Sequence, residues 1–244
     1  MIKRVALLFS GHIRNNKPCV QPLLNNFINV LRDNNYQVDI FSHFWNVAGH
    51  HNNWIGIPDF RSFNELNPKM ITMENFNRNY FVEKFKSTQW LYRPRISCHA
   101  TSGDAASMHY MIKKSFDNVL EYQAKHQFKY DLYVRLRSDI YLTSKLSILE
   151  VNDAINSEAL YLPEWNGNHE IINKKIMPHF AFGNFKVMND YMTVFDDIES
   201  YIRRNDITHT REGFLYEKIK NLPIKTTSLK YDLQRDQYLY KLWN

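Results

Sequence analysis

Glycine and proline are scarce, 7 and 8 among 244 residues. That excludes a collagen-like or low-complexity chain and argues against repeats. Cysteine is scarcer still, with only Cys19 and Cys98. The apolar run Val5–Phe9 is too short to be the core of a secretory leader. Two thiols without such a leader point to a reducing compartment and no disulfide framework. No apolar run approaches the roughly 20 residues of a membrane helix. Blocks of like charge are missing too. The formal net charge is +6, but lysines and arginines are spread along the chain. A nucleic-acid partner is therefore not expected. A phosphate-bearing substrate or an anionic membrane surface suits the same charge. The expected location is the cytoplasm, with peripheral membrane contact allowed.

What the chain does have is apolar and aromatic content, 44% and 15%, enough for a sizeable core. Lys3–Ser10 reads as a buried strand that stops at Ser10-Gly11-His12-Ile13-Arg14. Pro18–Arg32 has Val20, Leu23, Leu24, Phe27, Ile28 and Leu31 at helical spacing. Gln37–Phe44 is a second strand. Strand, helix and strand in some forty residues make a βαβ unit, so the sheet starts parallel. Lys69–Met73 reads as a third strand and Thr72–Asn75 as a helix start leading into Phe76–Phe85. Thr101–Gln123 is the longest amphipathic helix, with Ala105, Met108, Met111, Ile112 and Phe116 on its apolar face. His43, His50 and His51 match no zinc spacing and read as scattered surface histidines.

The stretch Tyr130–Leu142 organises the rest. Leu132, Val134 and Leu136 alternate with Tyr133, Arg135 and Arg137, the period of a strand. The strand runs into Ser138 and Asp139. Arginine is seldom buried without a partner, so two arginines and a carboxylate at a strand's end suit an anionic ligand. The alternative is an edge strand whose arginines pair with surface carboxylates. Beyond it, Ala159–Leu162 and Pro178–Gly183 read as strands. Asn184 is a cap for a helix over Phe185–Arg203, Thr210-Arg211-Glu212 opens another, and Asp232–Trp243 reads as a last helix. The polar Glu164–Lys175 stretch is a candidate substrate loop.

Four ordered segments resemble GT-A-fold glycosyltransferases of the small kind found in bacterial and viral surface-glycan clusters. They are Val5–Arg14, Val38–Trp45, Tyr130–Leu142, and Phe180–Gly183 with Met188, Tyr191 and Glu212–Leu215. The resemblance implies one α/β, Rossmann-like domain over 1–244, a mixed sheet and helices on both faces. Residues 1–142 would bind the nucleotide sugar and 143–244 the acceptor. It implies transfer of a sugar from a nucleoside diphosphate sugar to a glycan or lipid-linked glycan. Ser10, Gly11, Arg14, Arg135 and Arg137 are the implied nucleotide-sugar contacts, and Asp139 and Glu212 the catalytic residues. Glu164 and Glu170 stand behind Glu212 as alternative bases. Where the family carries its DxD motif, this chain has Arg137-Ser138-Asp139. Asp139 keeps the position that reaches a Mn²⁺ or Mg²⁺ ion, while Arg137 would repel one and could neutralise a diphosphate itself. A sugar-phosphate nucleotidyltransferase is the competing enzyme, although Ser10–Lys17 has one glycine where that class carries a glycine-rich loop. A non-catalytic sugar- or nucleic-acid-binding module is the third reading.

Overall fold

The computed structural model describes residues 2–13, 16–46, 60–85, 102–163, 178–204 and 209–234. Its centre is a seven-stranded mixed sheet. In chain order the strands are β1 (Lys3–Gly11), β2 (Tyr36–Asn46), β3 (Met70–Asn75), β4 (Leu132–Leu136), β5 (Ile140–Leu142), β6 (Leu160–Pro163), β7 (Phe180–Gly183), β8 (Ile224–Thr227) and β9 (Tyr231–Leu233). The sheet order is β3-β2-β1-β4-β7-β6-β8, and β5 with β9 forms a separate two-stranded ribbon. β1, β2, β3 and β4 are parallel. β7 runs antiparallel to β4 and to β6. The expected α/β fold with a parallel amino-terminal half is thus present, and strands β2, β1 and β4 are neighbours.

Helices cover both faces. On one lie α1 (Lys17–Leu23), a π-turn (Leu24–Ile28), α2 (Asn29–Asp33), α3 (Phe60–Asn64) and α6 (Ile148–Asn156). They bury Val5, Leu7, Phe9, Leu132, Val134 and Leu136. On the other lie α4 (Arg78–Phe85), α5 (Ser102–His126), α7 (Phe185–Met192), α8 (Val194–Ile202) and α9 (Arg211–Ile219), against Ala6, Leu8, Phe41 and Tyr133. The alternation of side chains along each strand separates the two cores.

The chain therefore crosses from β1 to β2 over one face and from β3 to β4 over the other. β4 then pairs with the free side of β1. The direction of winding reverses between β1 and β4, which makes the carboxyl ends of these two strands a topological switch point. Doubly wound sheets bind their ligands at this point.

Several expectations need correction. Thr72–Asn75 belongs to strand β3, not to a helix start. Its backbone pairs with β2, and the Thr72 hydroxyl donates to the Ser42 carbonyl at 3.1 Å. His43 is buried on β2, not on the surface, and its Nδ1 lies 2.7 Å from Thr72 Oγ1. The helix expected over 185–203 divides at Thr193, whose hydroxyl donates to the Asn189 carbonyl at 2.7 Å and competes with the helical ladder. Asp232 and Leu233 pair with β5 in a strand instead of starting a helix. Residues 235–244, and the Glu164–Lys175 loop, lie outside the described residues.

The expected cap at Asn184 is in place, and Thr210 caps the helix that it was expected to open. Asn184 Oδ1 accepts from Val187 N, and Thr210 Oγ1 from Gly213 N at 3.1 Å. Gly183 joins β7 to α7 so closely that a Cβ would stand 2.4 Å from Val187 Cγ2.

Candidate functional site

The switch point between β1 and β4 is built from the ends of both strands. β1 ends at Gly11 with φ +102°, a backbone conformation open to glycine and strained for other residues. A Cβ there would meet no atom within 4 Å among the described residues. Ser138 donates from Oγ to the His12 carbonyl at 3.2 Å and ties the two strand ends together. A small, mainly apolar pocket on the α1 and α3 side, walled by Phe9, Cys19, Leu23, Phe63 and Leu136, reaches Arg137 and Ser138 at its edge. The buried Cys19 thiol is pushed up to about 12, by burial first and then by the negative charge of Asp139. Such a thiol stays protonated and is not a nucleophile at neutral pH.

Arg137 and Asp139 form a bidentate pair. Arg137 Nε donates to Oδ1 at 2.8 Å and Nη2 to Oδ2 at 2.5 Å. The Asp139 carboxylate is almost wholly buried, while the Arg137 side chain is 13% exposed. The backbone of Asp139 is fixed as well, since its carbonyl accepts from Gln234 N after β9.

Arg135 lies one pleat earlier and points the other way, beneath the helical layer. Its Nη1 donates to the His179 carbonyl at 2.9 Å and Nη2 to Ser10 Oγ at 3.2 Å. The same His179 carbonyl accepts from Arg137 N. Arg135 is 2% exposed and has no acidic partner among the described residues. Burial pulls its guanidinium down to about 10, with the charge of Arg137 adding to the effect. A buried guanidinium without a carboxylate is costly in a fold that needs it only for packing.

Around Arg135 stand polar groups that the sequence pattern did not single out. Tyr191 Oη, His109 Nδ1 and Arg135 Nε are buried and have no hydrogen-bond partner among the described residues. His109 Nε2 lies 2.9 Å from the Arg211 carbonyl. Burial, and then the charges of Arg211 and Arg135, push its pKa down to about 4, so the ring is neutral at pH 7. Tyr191 is raised to about 12 by burial, against the pull of Arg135. Tyr231 Oη lies 3.3 Å from His179 Nδ1. The missed signal for His109 was its place on the apolar stripe of α5, at helical spacing with Ala105, Ile112 and Phe116.

The structure thus brings Ser10, Gly11, Arg135, Arg137 and Asp139 to one end of two adjacent strands. Ser10 and Arg135 are engaged with each other, so neither offers that hydrogen bond to a ligand. Arg14, Glu164 and Glu170 lie outside the described residues. Glu212 sits in the first turn of α9, next to the carbonyl that His109 meets, and pairs with Arg211 Nε at 3.2 Å. No hydrogen bond or ion pair links Glu212 to Asp139 among the described residues.

A divalent metal at Asp139 was the other expectation. The residues described here do not fit one. Both carboxylate oxygens face the Arg137 guanidinium. No group of three or more His, Cys, Asp or Glu side chains able to hold a metal ion occurs among the described residues.

Comparison of the sequence with protein-family models and with curated proteins gives no match. The site therefore stands on its own geometry. That geometry offers a positive-φ turn, two guanidiniums and one carboxylate at the switch point. Their formal charges sum to +1, which is the electrostatics of an anion site. Among the described residues no helix is long and apolar enough to cross a membrane.

Proposed function

We propose that the protein is a glycosyltransferase. It moves a sugar from a nucleoside diphosphate sugar to a hydroxyl of a glycan or lipid-linked glycan. One observation supports this reading: at the switch point between β1 and β4 a single buried carboxylate holds the Arg137 guanidinium, and a second guanidinium, Arg135, is buried behind it without a carboxylate of its own among the described residues. A diphosphate leaving group needs positive charge placed in advance, and this is where a doubly wound fold presents a ligand.

In the reaction the acceptor oxygen bonds to the anomeric carbon while that carbon's bond to the phosphate oxygen breaks. The bonding pair leaves with the diphosphate, and the acceptor proton passes to a base. Arg137 meets the leaving diphosphate. The Gly11 turn lets the backbone approach the nucleotide without a side chain in the way. Asp139 holds Arg137 in place. Glu212 is the proposed base, since it lies in the first turn of a helix beside the Arg135 layer and is only 14% exposed. The net charge of +6 suits a cytoplasmic protein that works against an anionic membrane surface, where a lipid-linked acceptor resides.

The test is a panel of UDP-, GDP-, CDP- and dTDP-sugars with membrane-derived and free glycan acceptors. The reading expects a nucleoside diphosphate to be released in step with one added sugar in the product mass. Formation of pyrophosphate from a sugar phosphate and a nucleoside triphosphate would make it a nucleotidyltransferase instead. Sugar binding with no turnover would make it a binding module.

A further inference from the structure

We infer that this site binds the diphosphate with protein cations alone, and that the outer edge of the Arg137 guanidinium takes the place of the divalent metal. This deepens the glycosyltransferase reading and rests on it.

The argument starts from how a guanidinium is divided. It carries five N–H groups in one plane. Asp139 takes the side edge, through Nε at 2.8 Å and Nη2 at 2.5 Å. Both N–H groups of Nη1 and the second one of Nη2 remain. Nη1 has no hydrogen-bond partner among the described residues, and the Arg137 side chain keeps 13% of its surface exposed. A second bidentate anion can therefore dock on the end edge while Asp139 keeps the side edge. Asp139 stays paired throughout, so no carboxylate is left buried alone.

This geometry assigns Asp139 a positioning role. Its carboxylate is almost fully buried, and its carbonyl is pinned to Gln234 N. It cannot swing out to a cation without leaving Arg137. A metal seated on its oxygens would have to displace the guanidinium and would then meet two positive side chains at close range. Charge arithmetic agrees. A metal with two aspartates brings a net charge of zero, whereas Arg135, Arg137 and Asp139 bring +1 with no metal. Arg135 contributes as a fixed charge behind the switch point. It is held by Ser10 Oγ and the His179 carbonyl, and the latter also accepts the backbone N–H of Arg137.

The experiment is calorimetric titration of the full chain with UDP, GDP and inorganic pyrophosphate, in EDTA and then in Mn²⁺. The inference expects at least one of these to bind in EDTA, with an affinity that Mn²⁺ changes by less than about threefold, under 1 kcal/mol. Arg137→Lys, which keeps the charge but loses the two-edged fork, should weaken binding in EDTA by about tenfold or more. Asp139→Asn should weaken it too and leave Mn²⁺ without effect. Binding that requires Mn²⁺ in the wild type would overturn the inference and leave the glycosyltransferase reading standing, and loss of that Mn²⁺-supported binding in Asp139→Asn would place the metal on Asp139. Absence of binding in both EDTA and Mn²⁺ would remove both.

Discussion

Replacing Arg135 with methionine separates a functional charge from a structural one. Methionine keeps the length and removes the charge. The loss side has two hydrogen bonds, to the His179 carbonyl and to Ser10 Oγ. The carbonyl keeps Arg137 N as a donor, so only the hydroxyl loses its one buried partner. Together these losses amount to about 2–4 kcal/mol, taking charged bonds at the usual scale. On the gain side, burial pulls the guanidinium from 12.5 to about 10, and that desolvation cost of about 3 kcal/mol disappears with the charge. The two sides nearly cancel. The expected change in unfolding free energy is within about 2 kcal/mol, or about 4–8 °C in Tm for a chain of this size. Nucleotide affinity should fall by tenfold or more over the same substitution. The assays are urea unfolding and calorimetric titration on the same preparation. A loss beyond about 4 kcal/mol, the scale of a broken buried ion pair, would show that the charge is compensated in the fold. Unchanged nucleotide affinity would show that Arg135 has no part in the site.

His109 gives a pH prediction. Its pKa is held at about 4 against 6.5, so the unfolded chain binds the proton first. The stability it contributes is complete above pH 6.5 and is lost as pH falls through 4, about 3 kcal/mol in all. Unfolding curves of wild type and His109→Gln should converge by that amount between pH 7 and 4, and parallel curves would refute it. At Gly183 an added methyl meets Val187 Cγ2 at 2.4 Å and the Ala159 carbonyl at 3.3 Å. Gly183→Ala should cost about 1–3 kcal/mol, with partial rescue by Val187→Ala in a double-mutant cycle. Purely additive losses would place the strain elsewhere. Glu212→Gln should cut turnover about a hundredfold while donor affinity holds, the usual result of losing a general base. Wild-type turnover in that variant would remove Glu212 from the reaction.

The parallel half of the sheet was legible because its strands are buried on both faces and read as apolar runs ending in polar turns. Val5–Phe9 into Ser10-Gly11, and Leu132–Leu136 into Arg137-Ser138-Asp139, announce both the strand and its carboxyl end. The antiparallel half was harder. β8 and β9 are 4 and 3 residues long, too short for a period to show. Helix α6 has no counterpart in the sequence reading, although Ser147 and Glu150 carry the spacing of a capping box, and Ser147 Oγ does accept from Glu150 N. The alternative of an edge strand around Arg135 fails because β4 is flanked by β1 and β7. What no pattern could give is the direction of each guanidinium. Arg135 and Arg137 share a parity along the strand. Yet the strand ends at Leu136, and the turn sends Arg137 to the edge of the pocket by α1 and α3 while Arg135 stays under the helices of the other face. His109 was hidden among apolar neighbours on α5, where its type was the clue and its position the disguise.

The most direct test of the donor site is a crystal structure of the protein soaked with a nucleoside diphosphate. The diphosphate oxygens should lie about 3 Å from Arg137 Nη1, beyond the ends of β1 and β4, with Arg137 still paired to Asp139. A nucleotide bound elsewhere on the molecule, or one that breaks the Arg137–Asp139 pair to place a metal on Asp139, would contradict the account.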